Sequence, residues 1–354
     1  MISKKAAQLT PYTAGEQPRD KKYIKLNTNE NPYAPSGKVI SALKNADFSS
    51  LRLYPDPDAS VLREAAARDA GLKPENVFCG NGSDEVLAFC FQAFYDEGAE
   101  YVYFPDVTYS FYPVWCRLFG ISYKTVPLKD DFSLCAADYL NLKECQGVVL
   151  ANPNAPTGRA VSLSEIESIA KANPKAAVVV DEAYVDFGAQ TAAPLIKKYE
   201  NLCVVRTFSK GFSLAGLRAG YALANGPLIG ALKKIRDSFN SYPLDALAQT
   251  AAAAALSDRE YSVSKAAEII ATRDRFIKDL QLLNFFVVPS SANFVFASHK
   301  YIMAETLYRA LKEAGVLVRW FDKPLIDNFL RISIGTDGEM EECINVLRLR
   351  IHNL

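Results

Sequence analysis

The sequence predicts an α/β fold: a large, mainly parallel sheet sandwiched by helices, followed by a smaller α+β unit. Three observations predict it. Strand-like and helix-like segments alternate from about residue 77 to about residue 240. The strand segments are short and almost unbroken in apolar residues, the pattern of parallel strands covered on both faces by crossover helices. Composition then shifts after Tyr242-Pro243, where an alanine-rich stretch and a long helical stretch take over.

Residues 1–38 are rich in Pro, Asn, Tyr and Gly, lack periodicity and read as an extended arm. Val77–Cys79 is the first apolar run of the alternating region. Ser83–Tyr95 follows with helical spacing of Val86, Leu87, Cys90, Phe91 and Phe94, and with Asp84 and Glu85 where a helix N-terminus favours acids. Tyr101–Phe104, Ser122–Val126, Gly147–Ala151, Ala176–Val180 and Leu202–Val205 read as further strands, and Leu163–Ala172, introduced by Ser162, as a crossover helix. Past the shift come helices over Ala248–Leu256 and Glu260–Leu283, then strands Phe285–Val288 and Asn293–Ala297. A helix over Ile302–Ala314 closes at Gly315, strands Val316–Arg319 and Leu330–Ile334 follow, and a last helix begins near Gly338.

Composition excludes several functions. The 354 residues are 49% hydrophobic and 23% charged, an ordinary globular balance. Lys+Arg 40 against Asp+Glu 40 leaves no basic excess for nucleic acid or a membrane surface, so neither is expected as a partner. No apolar run approaches the roughly 18 residues of a membrane span, and the lysines of the first residues precede no apolar signal core. The seven cysteines are odd in number and form no Cys-x-x-Cys pair, which predicts reduced thiols and a cytoplasmic protein. The two histidines, His299 and His352, lie near the C-terminus. They predict neither a zinc site nor a Ser-His-Asp triad. Chemistry must rest on Lys, Arg, Tyr and Asp, with or without a borrowed cofactor.

Three apolar strands run into polar residues: Asn152-Pro153-Asn154, Asp181-Glu182-Ala183-Tyr184 and Arg206-Thr207-Phe208-Ser209-Lys210. Parallel strands put those ends on one edge, where doubly wound sheets bind ligands. Asp181 leaves the sheet behind three valines. It is either a cap or turn residue, or the anionic partner of a cationic ligand atom such as a protonated pyridine. Lys210 is either a solvated surface charge, as most lysines are, or a site residue: it sits among small residues and eight positions before Arg218. A lysine that is desolvated and beside a second cation loses proton affinity and becomes a Schiff-base nucleophile. Thr207, Ser209 and Arg218 together would suit a phosphate cradle. Gly80-Asn81-Gly82-Ser83-Asp84-Glu85 is either a plain turn or a glycine turn that offers helix N–H groups to a phosphate. No Gly-x-x-x-x-Gly-Lys-Ser/Thr loop occurs. Arg331, a charge inside an apolar strand pattern, is either at a solvated edge or bound to an anion.

Taken in order, these stretches resemble one family. Leu9-Thr10-Pro11-Tyr12, Leu26-Asn27-Thr28-Asn29-Glu30-Asn31-Pro32, Tyr54-Pro55-Asp56, the glycine turn, Asn152–Gly158, Asp181–Tyr184, Thr207–Arg218 and Leu330–Thr336 are similar to the motifs of fold type I pyridoxal-phosphate (PLP) enzymes. The branch resembled is that of the histidinol-phosphate aminotransferases, over essentially the whole chain. The resemblance implies a seven-stranded-type sheet and a division into an arm (1–38) joining the small domain, a large PLP-binding domain (39–245) and a small C-terminal domain (246–354). It implies that Lys210 carries PLP as a Schiff base and then moves the substrate proton. Asp181 would pair with the pyridinium nitrogen, Tyr184 would bond the ring hydroxyl and Tyr109 would stack on the ring. Gly82, Ser83, Asp84, Thr207, Ser209 and Arg218 would hold the phosphate, with Tyr54 reaching the partner's cofactor in a homodimer. Arg331 would grip the anionic end of the substrate, with Arg319, Tyr12, Asn29 and Glu30 around it.

One departure stands out. The usual Asn before Pro-Thr-Gly is Ala155, so either Asn154 takes over its bond to the ring hydroxyl or that bond is lost. The implied reaction is transamination of L-histidinol phosphate with 2-oxoglutarate. Threonine-phosphate decarboxylase and aromatic amino-acid aminotransferase share the core. A PLP-sensing regulator would need a DNA-binding segment that the arm does not supply.

Overall fold

A computed structural model of the chain describes residues 1–98 and 100–352. Strand β1 (Ile24–Lys25) lies in the arm. Strands β2 (Val77–Gly80), β3 (Tyr101–Pro105), β4 (Tyr123–Val126), β5 (Cys145–Ala151), β6 (Ala177–Asp181), β7 (Leu202–Thr207) and β8 (Gly220–Ala224) build a seven-stranded sheet. Its order is β2-β8-β7-β6-β5-β3-β4, parallel except for β8, which runs antiparallel to both neighbours. Strands β9 (Phe285–Val288), β10 (Phe294–His299), β12 (Arg319–Trp320) and β13 (Leu330–Ser333) form an antiparallel sheet. Strand β11 (Val316–Leu317) pairs instead with β1 of the arm.

The valines of β6 explain why its sequence is continuous rather than alternating. Val178 and Val180 face one buried cluster and Val179 the other, and all three are fully buried. The helix Leu163–Ala172 begins where Ser162 and Glu165 cap each other's backbone N–H groups. The alanine-rich helix, Ala246–Leu256, packs on helices Gly37–Lys44 and Ser60–Ala70 and shares their buried cluster with the large sheet. Small side chains let the three helices approach closely there. The long helix Arg259–Leu282 crosses to the second cluster, where it covers the antiparallel sheet.

Several elements carry no clear periodic signal. Strand β8 reads Gly-Tyr-Ala-Leu-Ala, poor in β-branched residues, and forms because it lies between β2 and β7. The predicted strand Val316–Arg319 splits at Val318, and its halves join different sheets.

Register aligns the strand ends. Ala151 of β5 is opposite Asp181 of β6, Asp181 is opposite Val205 of β7, and Thr207 is opposite Gly220 of β8. The residues that follow therefore converge on one edge of the sheet.

Candidate active site

A cavity of about 480 Å³ opens at that edge. Lys210, Asp181, Tyr184, Thr207, Ser209 and Arg218 line it, together with Ser83, Asp84, Tyr109, Arg331, Arg319, Tyr12 and Asn29. Residues separated by more than 300 positions thus share one wall.

Lys210 follows β7, and its Nζ donates to the Thr28 carbonyl at 3.0 Å. Burial first, and then the Arg331 guanidinium, push its ammonium down to about 8, with Glu30 and Asp84 opposing. Asp181 ends β6 and is 4% exposed. Burial pushes its carboxyl up to about 6, against the hydrogen bond from the Tyr112 hydroxyl (3.0 Å, to Oδ2) and that from the Ala183 N–H (3.1 Å, to Oδ1). Burial also raises the Tyr184 phenol, whose oxygen accepts from Asn29 Nδ2 at 3.0 Å.

Gly82 takes φ +86°, a conformation open to glycine, and delivers the chain into the helix Ser83–Phe94, which has no side-chain cap. Its first residues, Ser83 and Asp84, line the cavity. Arg218, itself at φ +51°, lies against this turn: a Cβ on Gly82 would meet Nη2 of Arg218 at 2.6 Å. The Arg218 guanidinium pairs with Asp84 at 3.3 Å, and the Tyr109 hydroxyl donates to the same carboxylate at 2.9 Å. One acid therefore orients both the cation and the aromatic wall.

Arg331 of β13 donates through Nη2 to the Asn27 carbonyl at 2.9 Å, and its Nε is buried without a partner. Burial holds its guanidinium below the usual range. Arg319 donates to the Ala14 and Thr13 carbonyls at 3.2 and 3.0 Å, which ties the arm over the cavity. Tyr12 stacks on Phe111 at 4.4 Å.

Three candidates lie elsewhere. Asn154 is behind the wall: its Nδ2 donates to the Val107 carbonyl and the Thr157 hydroxyl, and its Oδ1 accepts from Thr108. Ala155, not Asn154, faces the cavity. Glu30 is paired with Lys25 at 2.6 Å. Tyr54 is 82% exposed and stacks on Tyr242 at 4.6 Å, outside this cavity. Asn29, taken from the sequence as a substrate contact, spends its side chain on Tyr184 and Ser333.

Sequence reasoning missed Thr28 and Asn31, which hold Lys210 at its Nζ and its carbonyl. It also missed Tyr112, Phe111 and Gly15. Tyr112 had a readable signal, a hydroxyl placed among apolar residues at the start of the helix Tyr112–Phe119.

The comparisons with known proteins point the same way. The family model for aminotransferase class I and II matches residues 21–347, and the fold and the site define that class. The histidinol-phosphate aminotransferase of Marinomonas sp. is 53% identical over 95% of each chain. That of Acinetobacter baylyi is 48% identical over 99% of this chain and 97% of its own. Among solved structures, histidinol-phosphate aminotransferase from Sinorhizobium meliloti in complex with pyridoxal-5'-phosphate superposes with a TM-score of 0.87 at 26% identity, covering 99% of this chain and 98% of its own. The chain belongs to the histidinol-phosphate aminotransferase family.

The residues present fit PLP. An uncapped helix start under Arg218 suits a phosphate. A buried carboxylate without a cationic side-chain partner among the described residues suits a pyridinium. A lysine whose ammonium is destabilised suits a Schiff base.

Proposed function

We propose that this enzyme transfers the amino group between L-histidinol phosphate and 2-oxoglutarate, giving imidazole acetol phosphate and glutamate, a step of histidine biosynthesis. The observation that carries the reading is the convergence of Lys210, Asp181 and Arg218 on one cavity. PLP is the cofactor. When bound, it supplies an electron sink for the pair left at the amine-bearing carbon once that carbon loses its proton.

The chain's own residues do the rest. Lys210, its ammonium pushed down to about 8 by burial, would take the proton from the substrate carbon and pass it to the adjoining cofactor carbon within the same half-reaction. Asp181 keeps a negative charge at the ring nitrogen, and Tyr184 and Tyr109 fix the ring's edge and face. The Gly82-Ser83-Asp84 turn, Thr207, Ser209 and Arg218 bind the phosphate. Arg331 binds the anionic end of either substrate, the phosphate of one and the carboxylate of the other, and Arg319 and Tyr12 close the same end. Ala155 offers no hydrogen bond, so Tyr184 serves the ring hydroxyl from this chain.

The active unit in this proposal is a homodimer working in the cytoplasm. Phe48, Leu51, Leu53, Tyr54 and Val61 are all exposed within one stretch of chain. An apolar patch of that kind marks an interface. All seven cysteines are free thiols.

The test is direct. Purified protein with PLP, L-histidinol phosphate and 2-oxoglutarate should form glutamate, and glutamate alone should convert the visible band of the bound cofactor to that of its amine form. Release of CO2 from threonine phosphate, or faster turnover with aromatic amino acids than with histidinol phosphate, would instead select the related decarboxylase or aromatic aminotransferase.

A further inference from the structure

Among the described residues, Asp181 is the one carboxylate on the cavity wall that is nearly sealed from water, and hydrogen bonds rather than a charged side chain hold it. Asp84, the other acid lining the cavity, is half-exposed at the rim, whereas Asp181 lies at the end of a fully buried strand. Among the described residues no Lys, Arg or His lies within ion-pair distance of Asp181. Its Oδ1 accepts from the backbone N–H of Ala183, two residues on, which any residue at that position would supply. Its Oδ2 accepts from the Tyr112 hydroxyl at 3.0 Å. Among the described residues, Tyr112 is therefore the only side chain that bonds this carboxylate.

Tyr112 is also fully buried, at the first residue of the helix Tyr112–Phe119. Its ring stands edge-on to Tyr109, with centroids 5.6 Å apart and planes at 86°. Phe91, Phe104 and Trp115 surround it at 6.1, 5.8 and 6.2 Å. The phenol therefore cannot turn away to another partner without breaking an aromatic cluster. One side chain touches two walls of the cofactor site, the acid and the stacking ring.

We propose that Tyr112 is a positioning residue for the cofactor ring: its hydroxyl fixes the Asp181 carboxylate and keeps it ionised, and its ring braces Tyr109. This rests on the PLP reading above. The consequence follows from proton sharing. A carboxylate that receives a strong neutral donor is a weaker base. A proton between it and the ring nitrogen then stays on nitrogen, and the ring stays a good electron sink. Without the donor the proton moves toward Asp181 and the ring loses its charge. Burial already favours the protonated acid, so the phenol is the largest influence opposing it. The other titratable groups that face Asp181 are Asp84 and Cys90 from the helix Ser83–Phe94, and Tyr184 from the loop after β6. Lys210 shares the cavity wall with it. Tyr109, packed on Tyr112 and bonded to Asp84, is a further titratable neighbour; Tyr112→Phe removes none of these groups.

Tyr112→Phe keeps the ring and removes only the donor. The readout is the visible absorbance of the PLP-loaded protein titrated with pH, which needs no substrate. The midpoint is expected to rise by about 0.5–1 unit, since the ring has lost positive charge. Turnover is expected to fall about tenfold, the worth of one hydrogen bond to a charged group, with KM within about twofold. In the Asp181→Asn background, where no carboxylate remains to be held, the same substitution should leave the midpoint unmoved. A midpoint unchanged in Tyr112→Phe would overturn the role of Tyr112, and so would an equal shift in the Asp181→Asn background. A Tyr112→Phe protein that does not fold, judged by circular dichroism, would also overturn it, by making the hydroxyl a structural requirement. Wild-type protein that binds no PLP would overturn the underlying reading and this one with it.

Discussion

Burial shifts the proton affinities of Lys210 and Asp181 toward neutrality from opposite sides, and both can be tested alone. Lys210→Ala removes the amine while leaving the turn at Gly82, Thr207, Ser209 and Arg218 intact. Turnover is expected to fall more than ~10³-fold, in line with loss of a positioned proton carrier, while the phosphate cradle still retains PLP on gel filtration. For Asp181 the sign follows from its raised value. In the fold it titrates near 6, against 3.8 for an ordinary aspartate. The folded protein therefore binds more protons than the unfolded chain between those values, and stability falls as pH rises through them. Asp181→Asn lacks this group. Measured by urea unfolding without PLP, the variant should gain on the wild type from pH 4 to pH 7 by roughly 2–3 kcal/mol. A gap independent of pH would refute the burial argument.

At the scale of elements, strand β8 is pressed against the glycine turn. A Cβ on Gly220 would meet the Ser83 backbone nitrogen at 2.5 Å and the Gly82 carbonyl carbon at 2.6 Å. Neither atom can yield without moving the helix start. Gly220→Ala is expected to cost about 1–3 kcal/mol and to weaken PLP binding at least tenfold by equilibrium dialysis. Ser162→Ala is the control: losing its cap costs about 1 kcal/mol, with activity unchanged because the helix Leu163–Ala172 lies away from the cavity. These two elements also show what was legible in the sequence. The Ser162–Glu165 cap and the valines of β6 are local signals, so that helix and that strand stand close to where the pattern put them. Strand β8 has no such signal, because it forms by pairing with neighbours distant in sequence. The composition shift after Tyr242-Pro243 falls one helix before the change in packing. The alanines of Ala246–Leu256 record close helix contact with the large unit rather than the start of a new one. In the site, the strand-end residues were readable because topology puts all parallel strand ends on one edge. Thr28 and Asn31 were not, since what they contribute is a bond to a residue 182 and 179 positions away; Tyr112 carried a local signal, but its bond to Asp181, 69 positions on, did not.

For the whole molecule, the exposed stretch from Phe48 to Val61 and the exposed Tyr54 stand together. Tyr54 adds nothing to the cavity of its own chain, yet its ring is ordered by stacking on Tyr242. Leu53, 58% exposed beside it, adds a second large apolar side chain to the same exposed stretch. In the proposed dimer both facts have one cause: the patch is covered by a second copy, and the phenol of Tyr54 reaches the phosphate bound there. The two substitutions then separate. Leu53→Glu places a charge in the covered patch, so it should convert dimer to monomer in multi-angle light scattering and lose bound PLP in the same step. Tyr54→Phe leaves the patch apolar, so the dimer should persist while PLP affinity falls about tenfold, the worth of one hydrogen bond to a charged group. A monomeric wild type with full PLP affinity would remove the need for a partner altogether.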